Sequence, residues 1–197
     1  MLTHLEDEAV LVEEARNGNG EAFVRLLKQY DRRIYRLALR FLGNHADAED
    51  VLQDVSIKAF VHLGDFRGDS RFYSWVVRIT TNECLMKLRR GHLRQQVSLD
   101  EPAEGEDGSV LPREIEDWRD TPEKTYLKAE LQAIVAEGME KLDRTSCTVF
   151  LLRDIEHFST EETAQMLDMT VAAVKTRLFR ARLKMREYMN AYFKKGC

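Results

Sequence analysis

Helix-breaking and acidic residues are concentrated in one stretch of this 197-residue chain, residues 95–125. The stretch contains ten acidic and three basic residues, and it holds every proline of the chain: Pro102, Pro112 and Pro122. Such a composition is typical of a linker, because it cannot bury enough apolar surface to fold. We therefore predict two folded domains, residues 1–94 and 126–197, joined by a flexible acidic linker, residues 95–125.

Both predicted domains show the apolar periodicity of helices, and no segment alternates like a strand. In the N-terminal domain, apolar residues three and four positions apart predict one helix that ends near Gly43: Phe23, Leu26, Leu27, Tyr30, Ile34, Ala38 and Phe41. Further helices are predicted over Ala46–Leu63 and Ser70–Arg90, and helical periodicity resumes near Tyr126. The predicted fold class is all-α.

Composition excludes several classes of protein. No apolar run approaches the roughly 20 residues that a membrane-spanning helix needs, and the N-terminus lacks the pattern of a signal peptide. The cysteines, Cys84, Cys147 and Cys197, are widely spaced and form no metal-binding motif. We expect a cytoplasmic protein without metal or cofactor. No nucleophile motif, phosphate loop or catalytic carboxylate pair indicates an enzyme.

The segment from His157 to Glu187 predicts a helix–turn–helix. Ser159 and Glu162 have the spacing of a capping box, which starts the first helix. Leu167 ends it, Asp168 occupies the turn, where a left-handed conformation is expected, and Thr170 can cap the second helix.

The second of these helices carries six basic residues and no acidic one between Lys175 and Arg186. At about 100° per residue, one side is apolar, with Val171, Val174, Leu178, Ala181 and Met185. The opposite side presents Ala172, Thr176, Phe179, Arg180 and Leu183. A solvated basic helix is the alternative, but an outward Phe179 and the single charge sign favour DNA. Base edges are assigned to Lys175, Thr176 and Arg180, and Arg182 must extend outward or pair. The candidate DNA-binding residues are Lys175, Thr176, Arg177, Phe179, Arg180, Arg182 and Lys184.

An acidic face is predicted on the helix Ala46–Leu63. Asp47, Asp50 and Asp54 share one face, with Gln53 beside them and Ile57 nearby. Compensation of the helix dipole explains the first turn, but Asp54 lies about two turns in. A surface for an arginine-bearing partner and a merely solvated face remain alternatives.

Aromatic and basic residues alternate over Phe66–Arg90, a pattern that can hold single-stranded bases. A core role is the better interpretation for Trp75, Val76 and Ile79. A binding role is favoured for the loop Arg67–Arg71 and for Asn82. The helix ends in a basic cluster predicted to contact the nucleic-acid backbone: Lys87, Arg89, Arg90 and Arg94.

Together these motifs resemble the sigma-70 family, and within it the extracytoplasmic-function sigma factors. The segment Asp47–Val55 resembles region 2.2, Phe66–Asn82 resembles regions 2.3 and 2.4, and Leu142–Glu187 resembles region 4. Two departures lie on the second helix: Ala172-Ala173 replaces a common Gly-Thr, and Phe179 replaces a common His. They affect the expected sequence preference of that helix, not its role.

The resemblance implies a promoter-specificity subunit with sigma2-like and sigma4-like domains. Asp50, Gln53 and Asp54 would bind the clamp coiled coil of the polymerase β′ subunit. Residues of the N-terminal domain would bind the melted −10 element: Phe66, Arg67, Ser70, Arg71, Phe72, Asn82, Arg89 and Arg90. The C-terminal helix would read the −35 element as duplex.

The implied partners are core RNA polymerase, through its β′ and β subunits, promoter DNA and an anti-sigma factor, with no direct membrane insertion. The main alternative is a stand-alone helix–turn–helix regulator, which would bind duplex DNA without polymerase.

Overall fold

The computed structural model describes residues 3–97 and 122–195, and all regular structure within them is helical. The chain divides into two compact units, residues 1–110 and 111–197. The predicted linker, residues 95–125, lies for the most part outside the described residues. At its edges the described residues are helical, over 95–97 and 122–125. Proline is tolerated in the first turn of a helix, which permits a start at Pro122.

The N-terminal unit contains five α-helices among the described residues, with a 3₁₀ turn, Leu63–Asp65, after the fourth: α1 (Thr3–Arg16), α2 (Gly20–Lys28), α3 (Asp31–Leu42), α4 (His45–Val61) and α5 (Phe72–Val97). Helix α3 packs against α4 and α5, and α1 packs against α2. The core includes the fully buried side chains of Leu26, Ile34, Val51, Val55 and Val76.

The single helix predicted over residues 23–41 is wrong. The helix is interrupted at two residues: Gln29 is the C-cap of α2, and Tyr30 is the N-cap of α3. The apolar spacing continues across so short a break, so periodicity alone does not show it. The Tyr30 hydroxyl donates to the carboxylate of Glu8 on α1, and Glu8 also accepts from the backbone N–H of Phe72, at 3.3 Å. Glu8 thus links α1 to the start of α5.

The C-terminal unit contains four described α-helices, with a π-helical turn, Leu151–Ile155, after the second: α6 (Pro122–Glu140), α7 (Arg144–Phe150), α8 (Thr160–Met166) and α9 (Val171–Lys195). Helix α9 is the common packing partner, because α6, α7 and α8 all contact it. The approach of α6 is close at Gly138, where an added Cβ atom would lie 2.9 Å from the Met185 side chain.

The local predictions for the helix–turn–helix are confirmed. Ser159 and Glu162 form a capping box, and Asp168 is left-handed, with φ 51°. The backbone N–H of Ala173 donates to the Thr170 hydroxyl at 3.1 Å. Cys147, outside this motif, is partly buried, and burial raises the pKa of its thiol to about 11.

Within the described ranges, no helix combines the length and the apolar character that crossing a bilayer requires.

Candidate partner and nucleic-acid interfaces

Helix α4 presents the predicted acidic face, which we define as Asp47, Asp50, Gln53 and Asp54. The helix begins after Asn44, whose side chain accepts from the backbone N–H of Asp47 at 2.7 Å. Gln53 and Asp54 are exposed, as is Ile57 beside them. Asp54 forms no ion pair with any residue whose side chain is described. The exposed end of the acidic face is therefore available to a cationic partner.

The first part of the acidic face is paired within the chain. Lys87 of α5 places its Nζ 2.7 Å from an Asp47 oxygen and 2.8 Å from an Asp50 oxygen. Burial raises the pKa of Asp47, but hydrogen bonds from Asn44 and Lys87 outweigh it and leave that pKa lowered. Burial lowers the pKa of Lys87, but the two carboxylates leave it raised. Lys87 thus faces α4, and its place in the backbone-contacting cluster stays a prediction.

The loop Arg67–Arg71 lies between two buried aromatic residues. Phe66 and Phe72 are 5% and 1% exposed, and both contact the ring of Trp75. Their rings are covered by the core, and the assignment of Phe66 and Phe72 to DNA stays a prediction. Between them, Arg67, Ser70 and Arg71 are exposed, and Gly68 adopts a left-handed φ of 80°.

The exposed residues of α5 extend this second surface. Asn82, Arg89 and Arg90 are all exposed, whereas the side chain of Arg94 lies outside the described residues. Trp75 and Ile79 are partly buried against the core, and Val76 is fully buried, as predicted. The loop and the exposed side of α5 thus present cations and hydrogen-bonding groups to solvent.

Helix α9 buries one side and exposes the other, as predicted. Val174, Leu178, Ala181 and Met185 are buried, and Val171 is partly buried. On the outward face, which we define as Ala172, Thr176, Phe179, Arg180 and Leu183, every side chain is exposed, and Phe179 is 69% exposed. The Thr176 hydroxyl donates to the carbonyl oxygen of Ala172 at 2.9 Å, so its proton is already used within the helix.

The basic residues of α9 fall into two groups. Arg182 makes a bidentate pair with Asp154, at 2.6 and 2.9 Å, and Arg177 lies 3.7 Å from Asp143. Lys175 and Arg180 are exposed and make no ion pair among the described side chains. The expectation that Arg182 would extend outward or pair is met by pairing.

Comparison with known proteins identifies both units. The model of Sigma-70 region 2 matches residues 26–94, and the model of Sigma-70, region 4 matches residues 132–185. The RNA polymerase sigma-H factor of Pseudomonas aeruginosa is 36% identical over 184 residues, which cover 92% of this chain and 93% of the relative. The ECF RNA polymerase sigma-E factor of Escherichia coli is 35% identical over 185 residues, with 92% and 93% covered.

Two solved structures resemble the whole fold. The structure of CnrH in complex with the cytosolic domain of CnrY has a TM-score of 0.63 and 25% identity, and it covers 94% of this chain and 98% of that one. The sigma factor RpoE of Bartonella quintana, solved with the anti-sigma factor NepR, has a TM-score of 0.66 and 20% identity, with 85% and 96% covered. The second likeness concerns the fold alone.

Proposed function

We propose a division of labour between the two units of this chain, which belongs to the sigma-70 family as an extracytoplasmic-function RNA polymerase sigma factor. As a sigma factor it directs promoter-specific initiation by core RNA polymerase and performs no catalysis of its own. The N-terminal unit binds core polymerase and the melted −10 element, and the C-terminal unit binds the −35 element. A stand-alone regulator is not favoured, because residues 26–94 match sigma-70 region 2.

The acidic face of α4 is proposed to bind the polymerase β′ subunit through Asp50, Gln53 and Asp54. Carboxylates accept two parallel hydrogen bonds from an arginine, which gives both strength and geometry. Asp54 is exposed without an intramolecular ion pair among the described side chains. Exposed Ile57 adds an apolar contact one turn away.

The loop and α5 are proposed to bind the −10 element as a single strand, through Arg67, Ser70, Arg71, Asn82, Arg89 and Arg90. A base is read completely only when it leaves the stack, because its Watson–Crick edge is then accessible. The exposed loop and Asn82 offer hydrogen-bonding groups for such a base. Arg89 and Arg90 are suited to the phosphates, which supply affinity without sequence preference.

The outward face of α9 is proposed to enter the major groove at the −35 element. Lys175, Thr176 and Arg180 face the base edges, where arginine pairs with guanine. Phe179 packs against the bases, since aromatic side chains make apolar contacts with the thymine methyl group. Arg177, Arg182 and Lys184 lie towards the sides of the helix and contact phosphates, which position it on the duplex.

Two linked units gain affinity because binding of one raises the local concentration of the other. We propose that both units contact core polymerase, through its β′ and β subunits, and that the protein acts in the cytoplasm. An anti-sigma factor is a further proposed partner, since the CnrH and RpoE relatives were solved with the CnrY cytosolic domain and with NepR.

The observation that carries the proposal is the outward face of α9, where exposed Arg180 and Phe179 lie close to exposed Lys175. Neither cation makes an ion pair with a described side chain. The test is run-off transcription from the host's genomic fragments, with core polymerase and the purified chain. Initiation at defined sites that appears only when the chain and core are both present is the expected result. Tight duplex binding by the chain alone, without initiation, would contradict it.

A further inference from the structure

Lys87 joins the two helices of the N-terminal unit that carry its proposed binding surfaces. It belongs to α5, and its ammonium lies between the Asp47 and Asp50 carboxylates of α4, at 2.7 and 2.8 Å. The two carboxylates differ in the other interactions that they make. Asp47 also accepts a hydrogen bond from the Asn44 side chain at 2.7 Å. Asp50 has a side chain that is 67% exposed, and among the described side chains it forms an ion pair with Lys87.

We propose that Lys87 is an intramolecular competitor: it occupies Asp50 in the isolated chain and yields that carboxylate to a cation of core polymerase. The proposal rests on the proposed function, in which the acidic face of α4 binds polymerase. Lys87 would lower the affinity of that surface for polymerase, although Lys87 itself would contact no polymerase group.

The exchange is favourable for the incoming group. An arginine binds a carboxylate with two parallel hydrogen bonds, whereas the lysine ammonium is a compact point charge. Lys87 keeps a partner after the exchange, because Asp47 stays beside it and is itself held by Asn44. Release of Asp50 therefore leaves no uncompensated charge on α5.

The exposure of the Lys87–Asp50 ion pair determines how much the removal of Lys87 can change the affinity for core polymerase. Lys87 is 29% exposed and Asp50 is 67% exposed, so their pair belongs to the weak, solvent-screened class. Removing the competitor should therefore strengthen core binding by about twofold to fivefold. The gain should shrink as salt is added, because screening weakens the pair that Lys87 makes with Asp50.

A binding titration of the full chain with purified core polymerase tests this idea. Lys87→Met should lower the Kd by about twofold to fivefold, and Lys87→Arg, which retains a cation, should not lower it. In an Asp50→Asn background, Lys87→Met should have no effect on the Kd. Thermal unfolding of each variant establishes that it is folded.

The matched control is Lys28→Met. Lys28 is exposed in the last turn of α2, outside the proposed polymerase surface, and its loss changes the net charge by the same amount. An equal decrease in Kd for Lys28→Met would show that the effect comes from net charge and would overturn the proposal. An unchanged or higher Kd for Lys87→Met would also overturn it. If Asp54→Arg also leaves the Kd unchanged, the assignment of the acidic face to polymerase fails, and not only the role of Lys87.

Discussion

Helices α4 and α9 expose faces of opposite charge, and each has a paired and an unpaired part. On α4, Asp47 and Asp50 are bound by Lys87, whereas Asp54, further along the helix, is exposed and unpaired among the described side chains. On α9, Arg177 and Arg182 pair with acidic residues of their own unit, whereas Lys175 and Arg180 make no ion pair with a described side chain.

The two helices differ in where the pairing falls. In α9 the paired arginines lie towards the neighbouring elements, so that pairing holds the helix and leaves its outward face available. In α4 the pairing includes Asp50, one of the three residues proposed to bind polymerase, whereas the paired arginines of α9 are proposed to contact phosphates and not base edges. Packing against neighbouring elements thus pairs some charged residues of a helix face and leaves others exposed to a partner. Asp50 belongs to both groups, because it pairs with Lys87 and is also proposed to bind polymerase.

The largest expected effect comes from reversing the unpaired charge of α4. Asp54→Arg should weaken core binding by about 2 kcal/mol or more, because it sets like charges against each other at the interface. Thermal unfolding should be unchanged, since Asp54 makes no described ion pair. A binding titration and a melting curve measure both.

The control for this prediction is Glu14→Arg, which reverses an exposed charge on α1. An unaltered core affinity for Asp54→Arg, or an equal loss for Glu14→Arg, would remove Asp54 from the proposed interface.

On α9, a paired and an unpaired arginine should respond differently. Arg180→Ala should cost about 1 to 3 kcal/mol in −35 binding and relax the sequence preference at the base pair that Arg180 contacts, with the unfolding temperature unchanged. Arg182→Ala should lower stability by no more than about 1 kcal/mol, because its pair with Asp154 is partly exposed, with side chains 54% and 21% exposed. It should weaken −35 binding less than Arg180→Ala does. Footprinting of the holoenzyme and thermal unfolding separate the two effects. If Arg180→Ala and Arg182→Ala changed −35 binding equally and stability equally, the proposed difference between paired and unpaired cations would be wrong.

The smallest expected effect is a dependence of stability on pH. The folded pKa of Asp47 is lowered from the usual 3.8, so its contribution is fully present above that value and is lost as the pH falls through the folded pKa. Above pH 3.8, Asp47→Asn should lower the unfolding temperature by about 1 to 4 °C. The two proteins should converge in stronger acid. A constant difference at every pH would show that the Asp47 charge contributes nothing.

Local predictions for the helix–turn–helix succeeded, although local periodicity missed the interruption between α2 and α3. The capping box at Ser159, the left-handed Asp168 and the cap at Thr170 are all set by residues within a few positions of one another. The buried side of α9 was likewise readable, because it follows from helical spacing alone.

Contacts between residues distant in sequence were not predicted. Phe66 and Phe72 were assigned to the −10 element by the family resemblance, and the burial of their rings against Trp75 was not anticipated. Pairing of Lys87 with Asp50 spans 37 positions, and Glu8 reaches the start of α5 across 64. The residue-level assignments to core polymerase and to the promoter elements remain predictions.

The two buried rings at the ends of the Arg67–Arg71 loop determine how the loop can meet a ligand. A short segment fixed at both ends has little conformational freedom to lose, so arranging its side chains around a base should carry a small entropic penalty. The same fixation makes the segment intolerant of shortening, because one deleted residue would strain the chain between the two buried rings. Deletions in this loop are therefore expected to be less well tolerated than substitutions.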